Sequence, residues 1–166
     1  MENKINGIYL LTGTNLGNRQ KNLALAKELI AERAGPVIAS SAIYETEPWG
    51  IPDQPAFYNQ VLFLHSTLTA EAVLNVILLI EQEMGRVRIE KYGSRVIDID
   101  ILFFNNDRYA SEKLVIPHPR IPERNFVLAP MLEIAPDFIH PLLQKTIRQL
   151  AAASPDHLRA TRLPKS

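Results

Sequence analysis

Arg95-Val96-Ile97-Asp98-Ile99-Asp100-Ile101-Leu102-Phe103-Phe104 sets two carboxylates inside a run of β-branched and apolar residues. Read as a strand, its period-two alternation puts Ile97, Ile99, Ile101 and Phe103 on one face and Asp98 with Asp100 on the other. Residues two apart on a strand lie roughly 6–7 Å apart. At that separation two like charges repel by about 0.6–2.5 kcal/mol for effective dielectrics between 80 and 20. A strand that accepts this repulsion either faces open water or holds a cation. An isolated D-x-D is also what a merely solvated strand face carries, so the surroundings of the pair decide.

Working outward, the order of elements follows from periodicity and punctuation. Ile8 to Leu11 is a short apolar strand that ends at Thr12-Gly13, and Thr14-Asn15-Leu16-Gly17-Asn18 is a turn rich in Gly and Asn. Asn18 is suited to cap a helix that runs to about Ala34 with Leu23, Ala26 and Ile30 on one face, stopped by Gly35-Pro36. Val37 to Tyr44 reads as a second strand, Glu47 to Pro55 as a Pro-rich loop, and Phe57 to His65 as a third strand. Thr69 caps a second helix carrying Val73, Ile77 and Met84 at helical spacing, and Gly85 ends it. The Asp98 strand follows a basic loop. The order β-α-β-β-α-β predicts an α+β, ferredoxin-like antiparallel sheet with both long helices on one face. The other face is left for ligands or for the C-terminal segment. Eight of the 12 prolines fall between Pro117 and Pro164. That predicts a loop-rich C-terminal extension with short helices near Phe126–Ala135 and Thr146–Ala153.

Composition narrows the class. A chain of 166 residues with 46% hydrophobic and 22% charged content is expected to fold as one domain, residues 1–166. Lys plus Arg equals Asp plus Glu at 18 each, so no global field draws the chain to nucleic acid or an anionic membrane. No cysteine is present, which removes disulfides and thiolate-held zinc. Met1-Glu2-Asn3-Lys4 lacks the basic and apolar run of a secretory signal, and no apolar stretch approaches the ~20 residues of a membrane span. A cytoplasmic protein is expected.

The residues able to carry chemistry cluster around the acidic strand. Gly85 to Arg95 holds Arg86, Arg88, Lys91 and Arg95 with two glycines in eleven residues, a basic loop beside a carboxylate pair. Polyphosphate handling needs this combination, because Mg²⁺ bridges carboxylate and phosphate oxygens while Arg forks neutralise the remainder. A second basic cluster, Pro117-His118-Pro119-Arg120 through Arg124, is stiffened by its prolines. Solvated surface charge would explain either cluster taken alone. Phe57 and Asn59 share a strand face near Trp49, and a ring with an amide is the minimum kit for a flat heterocycle. A lone aromatic is otherwise core. His65, His140 and His157 show no ligand spacing.

Four blocks in order carry a resemblance: Gly13-Thr14-Asn15-Leu16-Gly17; Tyr44 to Gly50 with Asp53-Gln54-Pro55 and Phe57-Tyr58-Asn59; Gly85-Arg86 through Asp98-Ile99-Asp100; and Pro117-His118-Pro119-Arg120 through Arg124-Asn125-Phe126-Val127-Leu128. Together they resemble 6-hydroxymethyl-7,8-dihydropterin pyrophosphokinase of folate biosynthesis, over about Ile8 to Pro141. The resemblance implies transfer of the β,γ-diphosphate of ATP to the hydroxymethyl group of the dihydropterin, with release of AMP. It implies two Mg²⁺ ions on Asp98 and Asp100, and catalytic roles for Arg86 and Arg95. Glu81, Arg86, Arg88, Lys91, Arg95, His118 and Arg124 would line the ATP side. Phe57 and Phe126 would sandwich the pterin, with Asn59 and the chain around Thr46, Glu47 and Trp49 reading its edge. The loops Glu47–Pro55 and Gly85–Ser94 would close over the substrates.

The chain departs from the family at Thr14, where Ser is usual, at Asn18, where an acid is common, and at Tyr92, where some members carry Trp. The expected partners are ATP and the dihydropterin, with no nucleic acid or membrane, acting as a monomer or weak homodimer. A nucleotidyltransferase also uses a Gly-rich turn and D-x-D, but there the two lie some ten residues apart, against about 80 here. A ferredoxin-like binding module with a vestigial cation site is the alternative outside enzymes.

Overall fold

The computed structural model describes residues 4–47, 55–85 and 96–164. Its elements in chain order are β1 (Asn6–Thr14), α1 (Arg19–Arg33), β2 (Val37–Ser40), β3 (Tyr44–Thr46), β4 (Phe57–Ser66), α2 (Ala70–Glu83), β5 (Asp98–Phe104), β6 (Tyr109–Ala110), β7 (Val115–Ile116), a 3₁₀ turn (Ile121–Glu123), α3 (Asn125–Ile134), α4 (Ile147–Ala152) and β8 (Thr161–Arg162). The main sheet runs β5-β1-β4-β3-β8 with β2 also on β4, and every pairing is antiparallel. This is the βαββαβ order expected, with β2 and β3 together filling the second strand position. No helix among the described residues is long and apolar enough to cross a membrane.

The caps foreseen from sequence are made. Asn18 accepts from the Lys21 amide at 3.1 Å and Thr69 from the Ala72 amide at 3.2 Å. Gly85 sits at φ +82 behind α2, the left-handed conformation that ends helices. Thr146 and Gln149 close a reciprocal box on α4.

Two cores clamp the sheet. Ile8, Leu10, Leu62, Leu64, Ile99 and Ile101 face α1 and α2, meeting Leu23, Ile30, Val73, Ile77 and Ile80. Leu11, Val61, Leu102 and Phe103 face α3 and α4, meeting Val127, Leu128, Met131 and Ile147. The second sheet face therefore receives the C-terminal segment, one of the two uses foreseen for it.

Two local expectations are corrected. Phe103 does not share the face of Ile97, Ile99 and Ile101. The β1–β5 register slips between Tyr9 and Leu10, so Leu10 pairs with Ile101 and Tyr9 with Phe103. The extra residue reverses the alternation, sending Leu102 and Phe103 to the α3 side and Phe104 to the α1–α2 side. Val37–Tyr44 is not one strand either. It breaks after Ser40, where the Ser41 hydroxyl accepts from the Val61 amide at 3.0 Å in place of a backbone partner.

Gly35 turns α1 into β2 at φ +152, and a Cβ there would overlap the carbonyl oxygen of His65. Gly35→Ala should lower stability by about 2–4 kcal/mol, as backbone clashes at glycine-only positions do. The check is the urea-unfolding midpoint, which should fall with the slope unchanged.

Candidate active site

The strand registers line up a row across the sheet. Asp98 on β5 lies opposite Gly13 on β1, Gly13 opposite Asn59 on β4, and Asn59 opposite Tyr44 on β3. Strands stand about 4.8 Å apart, so the backbones of Asp98 and Asn59 are separated by roughly 10 Å, two such spacings. Asp100 lies opposite Leu11, a residue of the α3–α4 core, which puts both aspartates on that face of the sheet. Phe57, two residues from Asn59, shares the face, and Thr46 pairs with Phe57 from β3. The acids and the ring-plus-amide pair are therefore mounted on one surface.

Gly13 clears the middle of the row for the side-chain amide of Asn59. A Cβ there would stand 2.5 Å from the amide nitrogen of Asn59. Asn59 is 5% exposed and donates to the Thr12 carbonyl at 3.3 Å. Thr46 is buried, and Glu47 is exposed just beyond it.

The ATP-side candidates gather around β5. Glu81, 4% exposed near the end of α2, accepts the Ile99 amide proton at 2.9 Å, between the two aspartates. The His118 amide donates to the Leu102 carbonyl at 3.1 Å, and the His118 Nδ1 accepts from the Arg120 amide at 3.2 Å. That bond leaves the proton of a neutral ring on Nε2. Burial pushes the His118 pKa down from 6.5; the Asp100 charge opposes this, and Arg124 and Arg120 reinforce it. Burial likewise lowers the Arg124 pKa against the pull of Asp100, and its guanidinium stays charged. The Arg124 guanidinium carbon stands 5.5 Å from the centre of the Phe126 ring.

The start of α3 sets where Arg124 and Phe126 stand, and it is latched by residues that sequence reasoning missed. The Asn125 amide donates to Asp156 Oδ2 at 2.9 Å, and the Asn125 side chain donates to the Asp156 and Leu158 carbonyls. Glu133, also on α3, takes the Ala42 amide through both oxygens at 3.1 Å and the Tyr44 hydroxyl at 2.8 Å. Burial, then Glu133, pushes the Tyr44 pKa up to about 12. Asn125 falls within the fourth block of the resemblance but carries no expected role there. Asp156 and Glu133 give no signal in the sequence, because their partners are largely backbone groups.

The structure thus brings Asp98 and Asp100 together with Glu81, His118 and Arg124, and sets Asn59, Phe57 and Thr46 on the same sheet face. Arg86, Arg88, Lys91, Arg95 and Trp49 lie outside the described residues, as do most of the two loops expected to close. Among the described residues no group of three or more His, Asp or Glu side chains forms a metal cluster. A carboxylate pair still suits Mg²⁺ bound chiefly through substrate phosphates, which needs one or two protein carboxylates.

Residues 9–136 match the sequence profile of the 7,8-dihydro-6-hydroxymethylpterin-pyrophosphokinase family. The chain is 43% identical over 145 residues to a 2-amino-4-hydroxy-6-hydroxymethyldihydropteridine pyrophosphokinase of Methylorubrum extorquens, covering 87% of this chain and 90% of that protein. The namesake from Bacillus subtilis is 40% identical over 127 residues, 76% of each chain. A folic acid synthesis protein, fol1 of Pneumocystis carinii, is 41% identical over 94% of this chain, which spans only 21% of that longer protein. Among solved structures, an HPPK-DHPS protein in complex with substrates superposes with a TM-score of 0.74 at 19% identity, over 90% of this chain and 44% of its own. That likeness bears on the fold alone.

Glu81→Ala should leave the buried Ile99 amide without this acceptor and cost about 1–3 kcal/mol, while Glu81→Gln, which keeps an oxygen there, should cost less. Guanidinium denaturation of the two variants checks the order. His118 and His140 both have folded pKa values below 6.5, lowered chiefly by burial. The unfolded chain therefore binds more protons than the folded one below about pH 6.5, and stability should fall as pH drops from there through the folded values. His118→Gln should flatten part of that acid slope, measured as unfolding free energy between pH 7 and 5.

Proposed function

The chain belongs to the 7,8-dihydro-6-hydroxymethylpterin-pyrophosphokinase family, diphosphotransferases of folate synthesis, and on that premise we propose that it transfers the β,γ-diphosphate of ATP to the hydroxymethyl group of 6-hydroxymethyl-7,8-dihydropterin, releasing AMP. The observation that carries this reading is the shared sheet face. Asp98 and Asp100 stand at one end of a row, Asn59 and Phe57 at the other, with only Gly13 between. A bicyclic ring held at Asn59 would direct its hydroxymethyl arm along the row toward the carboxylates.

In this reading Asn59 offers a paired donor and acceptor to the edge of the pterin, with Thr46, Glu47 and Trp49 bordering it. Phe57 and Phe126 stack on its faces. Asp98 and Asp100 would hold Mg²⁺, two ions by family resemblance, which would offset the charge of the phosphate oxygens. Arg124 adds a fixed positive charge beside Asp100. Neutral His118 donates through Nε2, and Glu81 keeps the acidic strand in place. Arg86, Arg88, Lys91 and Arg95 are the remaining cations for the triphosphate. Of these, Arg86 and Arg95 meet the charge that develops on the transferred group. The hydroxymethyl oxygen bonds to the β-phosphorus as the bond to the oxygen bridging the α-phosphorus breaks, AMP leaves with that oxygen and the hydroxyl proton is released to solvent, so no covalent enzyme intermediate forms. The proposed state is a monomer or weak homodimer. Use of ATP as co-substrate suits a cytoplasmic reaction.

The test is an assay for AMP formed from ATP and hydroxymethyl-dihydropterin in Mg²⁺. Asp98→Asn should lower kcat by about 10²-fold or more, in line with the loss of one preorganised electrostatic contact. Asn59→Ala should raise KM for the pterin by about 10-fold or more and leave KM for ATP alone, since a site built to hydrogen-bond discriminates steeply. Inactivity of the wild type, or release of pyrophosphate in place of AMP, would overturn the assignment.

A further inference from the structure

The Gly13–Gly17 block stands out in the sequence, yet the proposed reaction gives its Thr-Asn-Leu-Gly turn no work. Its side-chain contacts point to one place. Asn15, fully buried, donates to the Pro55 carbonyl at 3.3 Å. Arg19, the first residue of α1, donates to the next carbonyl, Ala56, at 2.7 Å. The same guanidinium lies over the Tyr58 ring, 3.9 Å from its centre. The turn making these bonds is itself braced, because the Asn22 side chain donates through Nδ2 to the Leu16 carbonyl at 2.8 Å and to the Thr14 hydroxyl at 3.2 Å.

Pro55 and Ala56 are the residues through which the chain enters β4 and reaches Phe57 and Asn59. Each peptide unit is planar, so holding two successive carbonyls fixes two successive planes and with them the backbone angles of Ala56. Those angles set the direction in which Phe57 leaves. The stronger hold is that of Arg19, a short bond from an ionised donor joined to a flat cation on an aromatic face. Tyr58 alternates with Phe57 and Asn59 and packs on the α1–α2 side, so Arg19 works from the sheet face opposite Phe57 and Asn59.

We propose that Arg19, supported by Asn15, is a positioning residue that fixes the entry of β4 and thereby the placement of Phe57 for the pterin ring. The kinetic part of this rests on the reading of Phe57 and Asn59 as the pterin end.

Arg19→Ala should raise KM for the dihydropterin by about tenfold, the effect of losing one hydrogen bond to a charged group, with kcat and KM for ATP within about twofold of wild type. Arg19→Lys keeps a cationic donor but no planar face, and should fall between the two. Amide exchange in the free protein supplies a readout that needs no substrate. The Ala56 and Phe57 amides should exchange faster in Arg19→Ala, while those in the middle of α1 keep wild-type rates. Equal rises in both KM values, or exchange at 56–57 unchanged from wild type, would overturn the proposal. Wild-type inactivity toward the dihydropterin would retire the functional reading alone, since the exchange measurement decides the positioning role by itself.

Discussion

Everything at the candidate site hangs on β5 being an edge strand. Among the described residues it pairs with β1 on one side only, so its other edge carries amides and carbonyls with no strand to satisfy them. The outer groups are taken by the site's own residues. Glu81 accepts from the Ile99 amide, and the His118 amide donates to the Leu102 carbonyl. The backbone demand of the edge thus draws a buried acid from α2 and a histidine from the C-terminal segment to the strand that carries Asp98 and Asp100. Asp98 and Asp100 with Glu81, which is nearly out of solvent and bonds to the amide between them, make an acidic corner. Arg124 supplies one positive charge, half-buried under the pull of Asp100.

The bulge in β5 decides which core sees which residues. Up to Ile101 the strand alternates with its aspartates toward α3 and its isoleucines toward α1 and α2. After it, Leu102 and Phe103 turn to the α3 side, where they pack with Val127, Leu128 and Met131. Strict alternation would have sent Phe103 to the opposite core. Leu102 and Phe103 thereby share a core with α3, at whose beginning Arg124 and Phe126 stand.

Much of this arrangement is legible in the amino-acid sequence. The facing of Asp98 and Asp100 follows from two-residue periodicity, and Asn18, Thr69 and Gly85 announce helix ends through local chemistry. Glu81 gives half a signal, since it stands four residues after Ile77 on the buried stripe of α2, where a lone carboxylate must find a donor. The bulge is not legible, because it exists only in the pairing of β5 with β1. Nor is the break at Ser41, where a hydroxyl replaces a backbone partner within an otherwise strand-like run. Asn15, Arg19, Glu133 and Asp156 act largely on backbone groups of segments distant in sequence. A carbonyl or amide leaves no residue-type pattern to read, so such contacts appear only once the chain is folded.

Gly13 shows why the site needs a glycine at a position where a turn would not require one. It lies inside β1, flanked by Asp98 on one side and Asn59 on the other, on a sheet face where every neighbour projects a side chain. Any Cβ would press on the Asn59 amide and fill the floor of the row. A strand loses some intrinsic stability by carrying glycine in its interior. Here the pairing of β1 on both edges holds the backbone in place without help from a side chain. The central strand can tolerate the gap, and an edge strand could not do so as easily. The aspartates therefore occupy the edge, where loops and cations can reach them. The vacant position falls on the strand best able to carry it, and the amide stands one strand further in, where burial can orient it.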